Sequence, residues 1–369
     1  MCATFITLAL LVFSHPLWAT VEYIRVPNGG LQPQAAVDTQ GTLHLIYFKG
    51  EPAAGDVFYI RRDSAATTFT LPLRVNSQAS TAIAIGTVRG PHLALGANGR
   101  PHIAWMSAGD ASPGMHYTRL DDKGRAFEPQ RNISQNAIEL DGGGSIAADA
   151  LGQVFVAWHA GNEGEEKRRV WVARSKDEGR TFAVETPVSP IETGVCGCCG
   201  MRALADSTGQ LYLLYRAAAQ QIHRDMTLLT LKPDAARPSH QTLQPWELAA
   251  CPMSTAQLHK TGAGVQATWE KEGQVYWTRL DTPDLLFSPP GEGGHRKHPV
   301  LSANTRGETL LAWTEGTGWN QGGAWPGSFL TRKARPLSSK VTCKTPSPSG
   351  AASPSPHYPT APSSSFIRR

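Results

Sequence analysis

The chain has 369 residues, 40% of them hydrophobic and 18% charged, with 36 Gly and 27 Pro. That is enough apolar material for one large domain or two ordinary ones, and it excludes both a coiled coil and a largely disordered polymer. The formal charge of +5 would suit a nucleic-acid partner, but seven basic residues and no acid follow Gly316, which leaves 28 basic against 30 acidic residues elsewhere. A near-neutral body gives no electrostatic case for nucleic acid.

Residues Thr4 to Phe13 are almost all apolar, and Leu17-Trp18-Ala19 ends on the small residue that signal peptidase prefers. Residues 1–19 are therefore expected to be a signal peptide. The run is too short to span a bilayer, and no other segment approaches 18 apolar residues, so no transmembrane segment is expected. Export places the chain outside the cytoplasm, secreted or periplasmic, where disulfides form.

From residue 20 to 322 one phrase recurs: an apolar segment, a polar turn ending in Gly, then an alternating strand closed by an aromatic. It reads Ala35 to Gly41 with Leu43 to Tyr47, then Leu93 to Gly99 with His102 to Trp105. Further copies are Ile146 to Gly152 with Val154 to Trp158, and Ala203 to Gly209 with Leu211 to Tyr215. A worn copy ends in Val265 to Trp269, and a sixth runs from Val300 to Trp313. The anchors Tyr47, Trp105, Trp158, Tyr215, Trp269 and Trp313 are 58, 53, 57, 54 and 44 residues apart. A period near 50 built from short strands predicts an all-β fold, a six-bladed β-propeller of four-stranded antiparallel blades.

A second turn follows each anchor. In the third copy it reads Ser175-Lys176-Asp177-Glu178-Gly179-Arg180-Thr181-Phe182, and the second copy keeps Asp122, Gly124 and Phe127. Only the aromatics Phe69 and Phe287 persist in the first and fifth copies, and an Arg precedes each aromatic by eight residues (Arg61, Arg119, Arg174, Arg279). The turn fits the Asp-box (BNR) pattern S-x-D-x-G-x-T-[WF], and so the chain resembles the sialidase (neuraminidase) superfamily. Its side chains suit turn-building: Ser and Asp can bond free backbone N–H groups, and Gly accepts a positive φ. Ser175, Asp177, Gly179 and Phe182 are therefore expected to be structural, on the face opposite the family's active site.

On the other face, the loops leading into the blades contribute Gln32, Gln34, Arg89, His92, Ser145, Arg202, Met253, Ser254, His295, Arg296 and His298. The loops after the anchors contribute Lys49, Glu51, Asp110, His159, Glu163, Arg216, His223, Arg224, Asp225, Glu270, Glu272, Glu315 and Trp319. The resemblance implies three Arg on a sugar carboxylate, a Tyr nucleophile paired with Glu, and an Asp acid/base. The candidates are Arg89, Arg202, Arg224 and Arg296, with Glu270 and Asp225 for proton transfer. The family's [YF]-R-I-P motif, which carries its first Arg, is stretched here to Tyr23-Ile24-Arg25-Val26-Pro27. No motif singles out a Tyr–Glu pair. A glycan or glycoconjugate ligand is expected, bound by a monomer without a cofactor. Two readings stay open: an exo-acting glycosidase of sialidase type, and a non-catalytic binding scaffold.

Cys196-Gly197-Cys198-Cys199 leads into the fourth copy and Cys251-Pro252-Met253 into the fifth. These equivalent positions bring Cys196, Cys198, Cys199 and Cys251 together, either with a disulfide from Cys251 to the cluster or as a soft-metal or redox site. The chain resembles a group of bacterial sialidase-like proteins with this cluster and a later Cys-Pro-Met-Ser segment. Residues 323–369 break the pattern: from Pro336 onward 16 of 34 residues are Ser or Pro. They are expected to be a basic tail, disordered or artefactual.

Overall fold

The computed structural model describes residues 22–86, 88–107, 113–235, 237–291, 294–304 and 306–316, and the backbone strands at 325–330, 336–343 and 365–368. The chain is a β-propeller whose sheets are antiparallel throughout. Sheet 1 holds Leu31–Val37, Leu43–Glu51, Ala54–Arg62 and Leu73–Arg74; sheet 2 holds His92–Leu95, Pro101–Met106, Met115–Arg119 and Arg131–Asn132. Sheet 3 holds Leu140–Ala148, Val154–Ala160, Arg169–Ser175 and Thr186–Pro187; sheet 4 holds Arg202–Ala205, Leu211–Arg216, Met226–Leu231 and Ser239–Gln244. Sheet 5 has only Gln257–Thr261, Gly264–Lys271 and Gln274–Arg279, whereas sheet 6 has Arg296–Ala303, Thr309–Glu315, Trp325–Leu330 and Pro336–Cys343.

Six four-stranded blades were expected, and the structure corrects the number to five. In sheet 5 the fourth strand is reduced to a single bridge, Trp277 with Phe287, in which each N–H donates to the other's carbonyl at 2.9 Å. Pro289 and Pro290 follow at once and have no N–H to continue a ladder. Glu22–Arg25 does not complete sheet 6; it pairs with Ser365–Arg368 in a separate two-stranded sheet. The signal segment 1–19 lies outside the described residues.

The first strand of each sheet lies against the first strand of the next, from sheet 1 to sheet 6. Apolar side chains fill the gaps between consecutive sheets in five clusters, and each cluster takes residues from two neighbouring sheets. The middle strands are therefore buried on both faces, which is why they read as near-continuous apolar runs. All six aromatic anchors are at most 2% exposed.

The recurring polar turn has a chemical cause. Asp38 Oδ1 accepts the N–H groups of Gln40 and Thr42, and Asp149 Oδ1 those of Leu151 and Gln153, all at 2.9 Å. Asp206 and Asn304 do the same for Thr208 and Gln210, and for Arg306 and Glu308. Each turn closes on a Gly with φ between +79° and +85°, at positions 41, 152, 209 and 307. In the third-copy box, Ser175 Oγ accepts the Gly179 N–H at 2.8 Å, and Asp177 takes the Thr181 N–H and hydroxyl at 2.9 and 2.6 Å. The repeated arginines bind locally as well: Arg119 to Glu128 at 2.7 Å, Arg279 to Asp281 at 2.5 Å, and Arg174 to Gln153.

Candidate functional site

The first strands and the loops leading into them carry the polar side chains that meet around the centre. Gln32 donates from Nε2 to the carbonyls of Ala84 and Gly86 and accepts the Gly90 N–H, joining sheet 1 to the loop before sheet 2. Gln34 Nε2 lies 3.2 Å from His92 Nδ1, and Arg202 Nη1 approaches the same nitrogen at 2.8 Å. Two donors on Nδ1 require it to be unprotonated, and the ring also bonds the Val88 backbone. Burial, and then the nearby Arg202 charge, push His92 well below the usual histidine range. The imidazole is neutral. Arg202 has no carboxylate partner among the described residues, and burial lowers its guanidinium to about 10, so it stays a cation at neutral pH. It reaches from sheet 4 past sheet 3 to sheet 2.

Beside this pair, Asp141 bridges two arginines: Arg89 Nη2 donates to Oδ1 at 2.5 Å and Arg168 Nη2 to Oδ2 at 2.6 Å. The glycines that follow make room for neighbouring backbone. Gly142 has φ +103°, and a Cβ there would strike the Gly197 carbonyl and the His159 ring. Both ring nitrogens of His159 are buried without a hydrogen-bond partner, and burial, with Arg168 next in weight, pushes the ring down to about 3.

The cysteines form the third element. Cys198 is disulfide-bonded to Cys251, while Cys196 and Cys199 are free and buried. Cys196 Sγ lies 3.2 Å from Cys198 Sγ and donates to Cys199 Sγ at 3.6 Å. That hydrogen bond, ahead of Arg216 and the backbone N–H groups of Ser254 and Met253, lowers the Cys199 thiol, and the same pairing raises Cys196. The three cluster sulfurs lie within 4.8 Å of one another, a set a thiophilic cation could use once Cys198 left its disulfide; Glu165, Cys196 and Cys251 form a second such group. Around them, Arg216 Nε, Arg224 Nη1, Ser254 Oγ and Glu270 Oε2 are buried without geometric partners.

The four candidate arginines do not converge on one point. Arg224 binds Glu165 at 2.6 Å and the carbonyls of Ala250 and Gln221. Arg296 binds Glu315 at 3.2 Å, Gln274, Pro289 and Pro290, with its guanidinium over the Trp313 ring. Arg89 is held by Asp141, and only Arg202 lacks an acid. Asp225 Oδ1 accepts the Trp246 N–H at 2.8 Å, and Glu270 Oε1 accepts the Gly273 N–H at 2.9 Å. Burial raises the Glu270 carboxyl above the usual range. Asp110 and Trp319 lie outside the described residues, and Arg25 is exposed in the strand paired with 365–368. Among the described side chains no tyrosine hydroxyl is bonded to a glutamate. Tyr215 faces Thr193 at 2.9 Å and burial raises it to about 12, the opposite of an activated nucleophile. Gln32, Met253, His295 and His298 all hold left-handed φ values between +45° and +59°, an uncommon concentration of backbone strain in and just before the first strands of sheets 1, 5 and 6.

Asp141, Arg168 and Glu165 escape a reading of the sequence. The signal that could have found the first is the run Asp141-Gly142-Gly143-Gly144, an acid followed by three residues without Cβ.

No family model matches this chain, and no curated protein matches its sequence. Solved structures do match its shape. An alpha-L-arabinanase of Penicillium chrysogenum complexed with arabinobiose superposes at a TM-score of 0.54, with 13% identity over 84% of this chain and 95% of that one. An alpha-L-arabinofuranosidase from Fusarium graminearum in complex with an iminosugar inhibitor gives 0.52, with 10% identity over 83% and 94%. A Hadza microbial sialidase gives 0.49 at 14% identity, covering 77% of this chain and 63% of its own, so the chain spans less than two thirds of that sialidase. At such identities the likeness establishes the β-propeller fold.

Proposed function

We propose that this chain is an exported, sialidase-like propeller that recognises an acidic glycan on its channel face, with Arg202 meeting the sugar carboxylate. The observation that carries the reading is the Arg202 guanidinium, held by a neutral histidine and without an acid partner among the described residues. A half-buried cation without a counter-ion is a site prepared for an anion, because the ligand supplies the charge the protein withholds. The glycan-acting enzymes with the same fold support a saccharide as the ligand class, and the disulfide fits an oxidising compartment. Without a Tyr–Glu pair the reading favours recognition over sialidase-type cleavage. A hydrolase reading draws on one observation, the buried Glu270, whose carboxyl is raised above the usual range by burial, the direction a general acid requires.

The test is binding of sialylated and uronic-acid-bearing glycans beside their neutral counterparts, together with turnover of a fluorogenic sialoside. The expected result is carboxylate-dependent binding without turnover, weakened roughly 10- to 100-fold in Arg202→Ala, the usual value of a charge-assisted hydrogen bond. Equal binding of neutral and acidic glycans, or an unchanged Arg202→Ala, overturns the assignment. Turnover lost in Glu270→Gln would favour the hydrolase reading instead.

A further inference from the structure

The geometry points to a thiol–disulfide relay in the cysteine cluster, in which the Cys196/Cys199 dithiol exchanges with the Cys198–Cys251 disulfide to present a reactive dithiol to external disulfides. Two independent features meet here. Cys196-Gly197-Cys198-Cys199 has C-x-x-C spacing between its two free thiols, a spacing that lets the pair close on itself. The Cys196 sulfur also sits 3.2 Å from Cys198 Sγ, beside the bond it would attack, with its own S–H directed at Cys199.

The exchange needs no outside oxidant. Cys196 Sγ attacks Cys198 Sγ as its proton passes to Cys199; the Cys196–Cys198 bond forms, the Cys198–Cys251 bond breaks, and Cys251 leaves with the electron pair as a thiolate. Cys199 then passes that proton to the Cys251 thiolate, attacks Cys196 Sγ and expels Cys198, so that the one proton and one negative charge of the starting Cys196 thiol and Cys199 thiolate end on Cys251 and Cys198. Two thiols have been oxidised and one disulfide reduced, so atoms, electrons and protons balance. The surroundings ready Cys199 to take the proton of the first step and keep the product disulfide out of water. Arg216 and Arg224 bring positive charge to the sulfurs, and two backbone N–H groups point at Cys199. The buried pair ends as a disulfide out of water, while the new thiols emerge at exposed Cys251 and half-buried Cys198. There they can reduce a disulfide substrate. The loops leading into sheets 4 and 5, clipped together by Cys198–Cys251, separate as this happens.

The experiment treats the folded, unreduced protein with excess maleimide, quenches with acid and maps labels and disulfides by peptide mass spectrometry, which keeps the label of Cys343 apart. The expected result is label on both Cys198 and Cys251, with Cys196 joined to Cys199. Cys199→Ser removes both the proton acceptor and the second nucleophile, so the reaction should be slower and stop after one step, with Cys251 alone labelled and Cys196 joined to Cys198. In Cys196→Ser, neither Cys198 nor Cys251 should take label. The proposal is overturned if the wild type keeps Cys198–Cys251 intact with Cys196 and Cys199 reduced. It is equally overturned if all four cysteines become reactive only after a chelator is added. Because the wild-type result decides alone, a variant that fails to fold leaves the test standing.

Discussion

Lowering the pH from 7 to 5 is expected to remove several kcal/mol of stability, enough to bring the chain close to unfolding. Burial is the first cause in every case: it holds His102 and His159 down to about 3, His298 to about 4, and His92 well below the usual range. The unfolded chain takes up these protons near pH 6.5, whereas the native state refuses them until far lower. Stability contributed by neutral histidine is therefore fully present above 6.5 and lost progressively below it. At pH 5 each such ring costs roughly 2 kcal/mol, against a typical total of about 5–15 kcal/mol. The carboxylates in the turns act in the same direction at lower pH: Asp177 is held at about 2 and Asp206 below its ordinary value, so their contribution drains away only beneath the usual carboxylate range. Denaturant titrations at pH 7.5, 6 and 5 should show unfolding free energy falling steeply below 6.5. His159 offers the control, since both of its nitrogens lack partners. His159→Phe should shrink the difference between pH 7.5 and pH 5 by about 2 kcal/mol, whatever it does to absolute stability. A flat profile between 7 and 5 would show that these rings are not held neutral.

The second large effect separates two glycines at equivalent places in the Asp-box turn. Gly179 has φ +77°, and a Cβ there would fall on the Tyr117 hydroxyl. That hydroxyl cannot retreat: it is bonded to His102 Nδ1 at 2.7 Å, its ring is fully buried, and Phe182 sits edge-on against it with centroids 4.8 Å apart. Gly124 has φ +65° and nothing within 4 Å of the added carbon. Gly124→Ala should cost only the left-handed backbone, about 1–2 kcal/mol. Gly179→Ala should add a steric cost at the interface of sheets 2 and 3 and lose about 3 kcal/mol or more. Equal losses in chemical denaturation would mean that the box aromatic and Tyr117 do not seal that interface.

The fold was legible because each copy carries its own local chemistry. The Asp- or Asn-led turns act within one sheet, and from the second copy on each buried aromatic anchor packs against the sheet before it, so their marks repeat at a fixed spacing. The fifth copy was misjudged where that chemistry had worn away: Asp281-Thr282-Pro283-Asp284 keeps neither the Ser nor the Gly of the box, and the outer strand shrinks to the rung between Trp277 and Phe287. The site was legible only as a set of polar residues on one face. Which arginine lacks an acid depends on partners far along the chain: Arg202 and His92 are 110 residues apart, Arg224 and Glu165 are 59. These spacings follow the repeat, 110 residues being two copies, but the repeat does not say which neighbouring loop supplies the partner. The same limit concealed Asp141, whose two arginines arrive from separate loops.

The outer strands of sheets 1, 2 and 3 are two residues long, and the last of them, Thr186–Pro187, contains a proline. A ladder that short offers a second chain almost nothing to extend, so the rim resists edge-to-edge stacking at these blades by brevity alone. Sheet 4 ends differently, in the six residues Ser239–Gln244, whose side chains are polar apart from one buried leucine. Sheet 5 ends in Gln274–Arg279, partly covered where Phe287 bridges Trp277. Sheet 6 ends in the longest outer strand, Pro336–Cys343, so fibril-like growth between copies of this chain would have to begin on these three blades, and a charge or proline placed at Thr242 would close the sheet 4 edge.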